Sequence, residues 1–154
     1  MMPEQATQSV EAITALILEI FRLNGRLLAA GDKLVAGLAL TSARWQVLGA
    51  IALAQAPEPV AHLARSMGLN RQGVQRIINE LAEEGIVAFR DNPNHRRARL
   101  VVLTQKGSEV YAAASRLQQP WAQALAASID VEDMREATLL LGRLRRRLEV
   151  DNGE

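Results

Sequence analysis

At 154 residues, the chain is long enough for one domain, or for one domain with an additional oligomerisation arm. Hydrophobic residues make up 49% of it and aromatic residues only 3%, an aliphatic composition that favours helices and excludes general disorder. There is no cysteine, which excludes disulfides, thiolate zinc sites and cysteine-based redox switches.

The net charge of +1 hides an uneven distribution of charge along the chain. Residues 60–107 contain eight Lys/Arg and four Asp/Glu, whereas the remaining residues contain ten and thirteen. A basic middle section is typical of a surface that meets phosphate or another anion, and it also fits a solvated basic face.

The residue inventory argues against catalysis, metal binding and membrane insertion. No Cys nucleophile, Ser–His pairing, phosphate-binding glycine loop or metal-ligand spacing is visible, so we expect neither an enzyme nor a cofactor. His62 and His95 lie far apart in the sequence, and we expect no metal site. The chain has no run of 18 apolar residues and no signal-peptide pattern, so we expect a cytoplasmic protein.

Residues 8–35 are predicted to form a long amphipathic helix, capped by Thr7 or Ser9 and closed by Gly37. Its apolar stripe is longer than one small domain needs for its core. The stripe recurs at three- and four-residue steps and consists of Val10, Ile13, Leu16, Ile17, Ile20, Leu23 and Leu27.

Three shorter helices are predicted next, separated by turns. Thr41 or Ser42 caps LTSARWQVLGAIALA, whose buried face is predicted to be Trp45, Leu48, Ile51 and Ala52. After the predicted turn QAPEP, the helix VAHLARSMG ends at Gly68, and NRQGVQRIINELAEEG begins at Asn70 and stops at Gly85. Two helices joined by a turn as short as Gly68-Leu69-Asn70 are typical of a helix-turn-helix.

A β-hairpin and two more helices complete the predicted elements. The strands 86–90 and 98–103 are joined by a loop of about seven residues. Thr104 is predicted to cap the following helix, Pro120 to kink or restart it near Trp121, and Asp130 to cap the last helix. A helix-turn-helix followed by such a hairpin is the winged form of the motif.

The helix 70–84 carries two faces with different chemistry. Val74, Ile77, Ile78 and Leu81 are predicted to face inward. The opposite face has side chains that can hydrogen-bond base edges, mostly in the half that enters the major groove: Arg71, Gln72, Gln75, Arg76 and Asn79. The alternative is a solvated face, but such faces usually carry Glu and Lys pairs.

The hairpin tip, FRDNPNHRRARL, concentrates positive charge beside that helix. We expect its arginines to lie along the adjacent DNA backbone or minor groove: Arg90, Arg96, Arg97 and Arg99. Arg90 and Arg99 can also be read as outward-facing strand residues that pair with Asp91. His95 is either a weak phosphate contact or an exposed turn residue.

From about residue 38 to 111, the chain resembles the MarR family of bacterial regulators. The resemblance rests on LTSARWQVLGAIA, on LARSMGLNRQGVQRIINEL and on NPNHRRARLVVLTQKG. It implies a mainly α-helical fold with these parts: residues 1–37 an N-terminal dimerisation helix, 38–104 a winged helix-turn-helix domain with recognition helix 70–84 and wing 86–103, and 105–154 C-terminal dimerisation helices.

The resemblance also implies a function and positions for its residues. Family members bind pseudo-palindromic double-stranded operators as homodimers, usually as repressors, and many release DNA on binding a small, often phenolic, ligand. The recognition positions fall on Arg71, Gln72, Gln75 and Arg76, at a helix that starts from Asn70, and the minor-groove arginine falls on Arg97. Many members have an aspartate two residues before that arginine, where this chain has His95.

A ligand would lie, by the same resemblance, between the dimerisation helices and the winged domain. Aromatic faces and guanidinium groups there would suit a small anionic aromatic compound. The residues that can reach that region are Phe21, Arg22, Arg26, Arg44, Trp45, Tyr111 and Trp121, although the aromatic ones can equally be core residues. The alternative function is a winged-helix interaction module whose basic strip binds an acidic protein partner.

Overall fold

The computed structural model describes residues 3–151, which form a mainly helical chain with one small sheet. The predicted fold class is confirmed, including the winged helix-turn-helix. In chain order the elements are α1 (Pro3–Val35), a 3-10 turn (Ala36–Leu38), α2 (Ser42–Leu53), β1 (Glu58–Pro59), α3 (Val60–Met67), α4 (Arg71–Glu83), β2 (Val87–Arg90), β3 (Leu100–Leu103), α5 (Gln105–Ala126) and α6 (Val131–Asp151).

The hydrophobic core lies where α2, α3, α4 and the sheet meet. Its fully buried side chains are mostly aliphatic: Val35, Val47, Leu48, Leu63, Val74, Ile78, Leu81 and Val101. Three of the four residues predicted to face inward from α4 are buried, and the fourth, Ile77, is partly buried against the core. On α2, the buried face is centred on Val47 and Leu48, whereas Trp45, Ile51 and Ala52 are only partly covered.

Local capping bonds form where the sequence predicts them. The Thr41 hydroxyl accepts from the backbone N–H of Arg44 at 3.2 Å, and Asp130 Oδ1 accepts from the N–H of Glu132 at 2.8 Å. Gly68 and Gly85 have positive φ angles of 65° and 73°, which glycine adopts without steric cost. Both glycines therefore end their helices as predicted.

The predicted last residue of the first helix, Val35, is confirmed, but its predicted start and its predicted closing residue, Gly37, are wrong. Thr7 and Ser9 lie inside α1, where their hydroxyls donate to the carbonyls of Pro3 and Gln5 instead of capping the helix. At the other end, the left-handed residue is Ala39, with φ 56°, and not Gly37. A 3-10 turn tightens the helix end and shifts the reversal by two residues.

The sheet has a third strand that the sequence analysis assigns to a turn. β1 pairs antiparallel with β3, with Glu58 opposite Val101, and β2 pairs on the other side of β3. Two residues that include a proline show no strand periodicity, and an edge strand tolerates the missing N–H. The loop between β2 and β3 spans 91–99 and is longer than predicted.

Pro120 does not interrupt α5, so the predicted restart of the helix near Trp121 is wrong. The helix continues from Gln105 to Ala126 with Pro120 inside it. Arg116 and Pro120 both lie on the exposed side, where water can reach the carbonyl that loses its donor.

Much of the apolar surface of α1 and α6 is uncovered in the single chain. Within α1, only Gly31 and Val35 are buried, whereas Val10 is 63% exposed and Phe21 69% exposed. Apolar faces of this extent mark interaction surfaces. No single helix within residues 3–151 is long and apolar enough to cross a membrane, and only the 3–38 and 42–53 helices taken together, bent by 80°, meet that requirement of length and composition.

Candidate nucleic-acid interface

A cleft lies between the outer face of α4 and the hairpin formed by β2 and β3. It has a volume of about 170 Å³ and combines polar side chains of the helix with arginines of the hairpin. Its charged and polar lining residues are Arg71, Gln75, Asn79, Arg97 and Arg99. Residues that are 18 or more positions apart in sequence thus face one concave surface, as the sequence analysis expects.

The start of α4 is fixed by Asn70. Its Oδ1 accepts from the backbone N–H groups of Gln72, at 2.9 Å, and of Gly73, at 3.2 Å. These two hydrogen bonds satisfy backbone N–H groups that the start of a helix leaves without partners. The acceptor oxygen of Asn70 is therefore committed to the helix, and its amide nitrogen is the group left for a ligand.

The polar side chains of α4 are oriented outward. Arg71, Gln72 and Arg76 are exposed, and Gln75 is partly covered at the floor of the cleft. Gln75 Nε2 donates to Asn79 Oδ1 at 2.9 Å, which aligns the two amides along one helix face. In this pair, Gln75 keeps one N–H and its Oε1, and Asn79 keeps both N–H groups, for hydrogen bonds to a base edge.

The hairpin presents its arginines in two different ways. Arg99 lies over the ring of Phe89, with 4.3 Å between its Cζ and the ring centroid, a cation–π contact that holds the guanidinium against the strand pair. Arg90, Arg96 and Arg97 are exposed, as is His95. Arg99 is exposed as well, so Arg90 and Arg99 both face outward, as the alternative predicts, but within the described residues no ion pair joins either of them to Asp91.

Two hydrogen bonds of the Asn92 side chain brace the loop, and the sequence pattern does not indicate them. Asn92 Nδ2 donates to the carbonyl of Ala98 at 2.9 Å, and Asn92 Oδ1 accepts from the N–H of Asn94 at 3.1 Å. One side chain thus ties both limbs of the loop together just below Arg96 and Arg97. An Asn-Pro sequence indicates a turn, but a bond six residues ahead leaves no signature in the local pattern.

Replacing Asn92 with alanine is expected to loosen the tip without unfolding the domain. The loss of two hydrogen bonds should destabilise the loop by about 1–2 kcal/mol. We expect faster amide hydrogen exchange at His95 and Ala98 and unchanged exchange in β3. Asn94→Ala serves as the matched control, because its side chain makes no such bond across the loop; equal exchange rates in both variants would contradict the brace.

Comparison with known proteins assigns the fold to a family. The sequence model of the MarR family matches residues 39–98, which include α2, α3, α4, β2 and most of the loop that follows β2. An uncharacterised protein of Mycobacterium tuberculosis is 39% identical over 100 residues, covering 65% of this chain and 68% of that protein. The chain belongs to the MarR family.

Two further proteins of known role are similar to this MarR-family chain. The transcriptional activatory protein BadR of Rhodopseudomonas palustris is 29% identical over 69% of this chain and 62% of its own length. A mutant MarR from E. coli, solved in complex with operator DNA, aligns with a TM-score of 0.75 at 23% identity, over 86% of this chain and 95% of that one. The MarR-family chain therefore has the winged-helix fold of that solved protein.

A larger cavity of the MarR-family chain lies elsewhere, in a groove between α1, α6 and the turn Gly68-Leu69-Asn70. It has a volume of about 850 Å³ and a mainly aliphatic lining. Of the seven residues predicted to reach a ligand, Phe21 lines it. Trp45 and Tyr111 pack against the core, Trp121 is partly buried in α5, and Arg22 pairs with Glu19 on α1.

Arg26 and Arg44 differ in how accessible they are. Arg26 is exposed on α1, whereas the Arg44 guanidinium is engaged by the Glu84 carboxylate and by the carbonyl of Ala39. An anionic ligand at Arg44 would have to displace Glu84. The single chain therefore does not gather the predicted ligand residues into one site.

Proposed function

We propose that this MarR-family regulator binds a pseudo-palindromic site in duplex DNA as a homodimer and represses a nearby promoter. The observation that supports the proposal most is the cleft that α4 and the hairpin share. Helix amides and guanidinium groups suited to base edges stand next to exposed arginines suited to phosphate. An acidic protein partner, the alternative, would need the positive charge but not the amides of Gln75 and Asn79.

The two parts of the cleft are expected to contact different features of the duplex. The first two turns of α4 enter the major groove, where Arg71 and Arg76 suit guanine and Gln75 suits adenine. The wing follows the neighbouring backbone, and Arg97 reaches toward the minor groove, where the potential is most negative. Acidic residues of α4 lie at its other end, at Glu80, Glu83 and Glu84, away from the phosphates.

Homodimerisation is supported by the uncovered apolar faces of the terminal helices. A helix of 33 residues such as α1 is about 50 Å long, and most of its apolar stripe lies outside the core of its own chain. Large apolar residues of α6, such as Leu139 at 66% exposure, are uncovered as well. A second copy, related to the first by a two-fold axis, would bury the apolar faces of α1 and α6. Each dimer would then present two recognition helices to two half-sites.

Gln75→Ala and Arg76→Ala are expected to relax base preference at specific operator positions. Each lost bidentate contact should reduce discrimination at one position by about 1–3 kcal/mol. Binding of the variants to a randomised pool of duplexes, followed by sequencing, measures this. Arg65→Ala removes the same charge from α3 and should leave the base preferences unchanged; a Gln75 and Arg76 double variant with wild-type preferences would contradict the assignment of α4.

The direction of regulation depends on where the operator lies. A site that overlaps the promoter blocks polymerase, and the resemblance to the family favours this arrangement. The relative BadR is named as an activator, so the same fold serves both outcomes. Transcription in vitro from the adjacent promoter, with and without the protein, tests repression directly.

We propose in addition that a small anionic aromatic compound regulates DNA binding from the groove between α1 and α6. The groove is lined by Asn70, the residue that caps the start of α4, by its neighbour Leu69, and by Phe21 of α1. Aromatic carboxylates such as salicylate should raise the melting temperature and weaken DNA binding. If these compounds change neither the melting temperature nor the affinity for DNA, the second proposal is contradicted.

A further inference from the structure

Glu84, the residue that ends the recognition helix, is held from outside by two other elements. Its carboxylate accepts from Arg44 Nη2, with 2.6 Å between Oε2 and the nitrogen. Its backbone carbonyl accepts from Lys106 Nζ at 2.8 Å. Arg44 belongs to the first turn of α2 and Lys106 to the first turn of α5, so both long-range bonds converge on the end of α4.

Arg44 is itself fixed at a second point. Its Nη1 donates to the carbonyl of Ala39 at 3.0 Å, in the reversal that joins α1 to α2. Ala39 has a left-handed backbone, an unfavourable conformation for a residue with a Cβ, so a bond that holds its carbonyl stabilises the reversal. The Arg44 side chain is only 15% exposed, and charge-assisted bonds in such a setting are stronger than those on an open surface.

The charge pattern at the end of α4 is otherwise unfavourable. Glu80, Glu83 and Glu84 lie in or next to its last turn, where the helix dipole favours cations. Arg44 and Lys106 supply the missing positive charge from neighbouring elements. Acidic residues at a helix C-terminus are locally unfavourable, and here cations from two other elements compensate for them. This arrangement indicates that Glu84 serves the attachment of α4 to those elements and not the helix alone.

We propose that Arg44, Glu84 and Lys106 form a clamp that sets the half-site spacing accepted by the dimer. The inference rests on the proposed function. The clamp ties the recognition helix to the α1–α2 join, and so to α1, whose apolar face is uncovered. It also ties the recognition helix to the start of α5, which carries the exposed residues Leu117 and Leu125. In a two-fold assembly, the distance and tilt between the two recognition helices follow from how rigidly each is attached to those helices.

Glu84→Gln tests the clamp with little change in shape, because its side chain is half-exposed and the amide keeps an acceptor. A duplex selected from a random pool is rebuilt with its half-sites one or two base pairs closer or further apart, and dissociation constants are measured for the series. We expect the preference of the wild type for its natural spacing to fall roughly fivefold in Glu84→Gln and in Arg44→Gln. Affinity for a duplex with a single half-site should not change.

Controls separate the clamp from general stability. Arg135→Gln removes the exposed Arg135–Glu132 pair on α6 and should leave the spacing preference intact. The charge-reversed double variant, Arg44→Glu with Glu84→Arg, should recover part of the preference that either single change loses. If Arg44→Gln melts too low for assay, Glu84→Gln alone decides the result.

An unchanged spacing preference in Glu84→Gln would overturn the clamp, and so would an equal loss of affinity for the single half-site. A wild-type protein that selects no duplex from the pool would instead overturn the proposed function, and the clamp with it.

Discussion

Gly107→Ala is expected to destabilise the folded chain by about 3 kcal/mol, toward the upper end of what overpacking usually costs. A Cβ added at Gly107 would lie 2.0 Å from the carbonyl oxygen of Ile86 and 3.1 Å from its carbon. The obstacle is backbone and cannot rotate away. The start of α5 would therefore have to move off the base of β2.

The displaced junction holds several bonds at once. The Thr104 hydroxyl donates to the carbonyl of Gly85 at 2.6 Å and accepts from the N–H of Gly107 at 3.0 Å. The N–H of Thr104 donates to the carbonyl of Ile86 at 3.1 Å. A shift of α5 strains all of these contacts, and with them the attachment of the wing to the domain.

Urea or thermal unfolding measures the loss, at a fixed protein concentration because the stability of the proposed homodimer would depend on concentration. Gly49→Ala is the matched control, because a Cβ there would meet only Tyr111 at an ordinary distance of 3.8 Å. Replacing a glycine inside α2 by alanine should raise stability by up to about 1 kcal/mol. Gly107→Ala unfolding at or above the wild-type midpoint would contradict the packing described for this junction.

Arg97→Ala is expected to weaken binding to every duplex, specific or not. Arg97 is exposed at the wing, lines the cleft beside α4, and sits on a loop that Asn92 holds in place. A hydrogen bond from arginine to a charged phosphate contributes about 1.5–3 kcal/mol, and the proposed homodimer would lose this contact twice. The salt dependence should also flatten, since each phosphate contact adds about 0.9 to the slope of log affinity against log salt.

Fluorescence anisotropy over a range of salt concentrations gives both quantities. Arg116→Ala removes an equal charge from the exposed side of α5 and should change neither the affinity nor the slope by a comparable amount. An Arg97→Ala protein with the wild-type slope would show that the wing does not touch the duplex backbone.

Features decided within a few residues could be predicted from the sequence. Asn70 and Thr104 cap their helices because an amide or hydroxyl oxygen lies within reach of N–H groups two or three residues on. Gly68 and Gly85 end helices because their left-handed backbone carries no steric cost. The outward face of α4 follows in the same way from helical periodicity.

Features that depend on contacts between residues far apart in the sequence could not be predicted. β1 exists because β3 offers an open edge to Glu58 and Pro59, and no strand pattern marks those two residues. The Arg44–Glu84 pair joins residues 40 positions apart, which no local pattern indicates. From its guanidinium group alone, Arg44 is equally suited to an anionic ligand. The groove between α1 and α6 depends on how two helices from opposite ends of the chain lie in space.

The predicted start of α1 is wrong for a different reason. Thr7 and Ser9 are good caps, but inside a helix their hydroxyls can bond back to carbonyls four residues earlier. The sequence cannot distinguish the two uses when no stronger stop signal precedes them. Asn92 is a similar case, since its side chain reaches across the loop and not along it.

DNA cleavage from single attached probes tests the central claim most directly. The chain has no cysteine, so Gln72→Cys on α4 and Asn94→Cys on the wing each accept one iron chelate. Ala127→Cys, just past the end of α5, is the control, because the 22 residues of that helix place it roughly 33 Å from the base of the wing. On a selected duplex, we predict two symmetric groups of cuts from the first two probes, about one helical turn apart, and none from the third. Cuts of equal strength from all three probes, or no cuts from α4 and the wing on a duplex that the protein binds, would contradict the account.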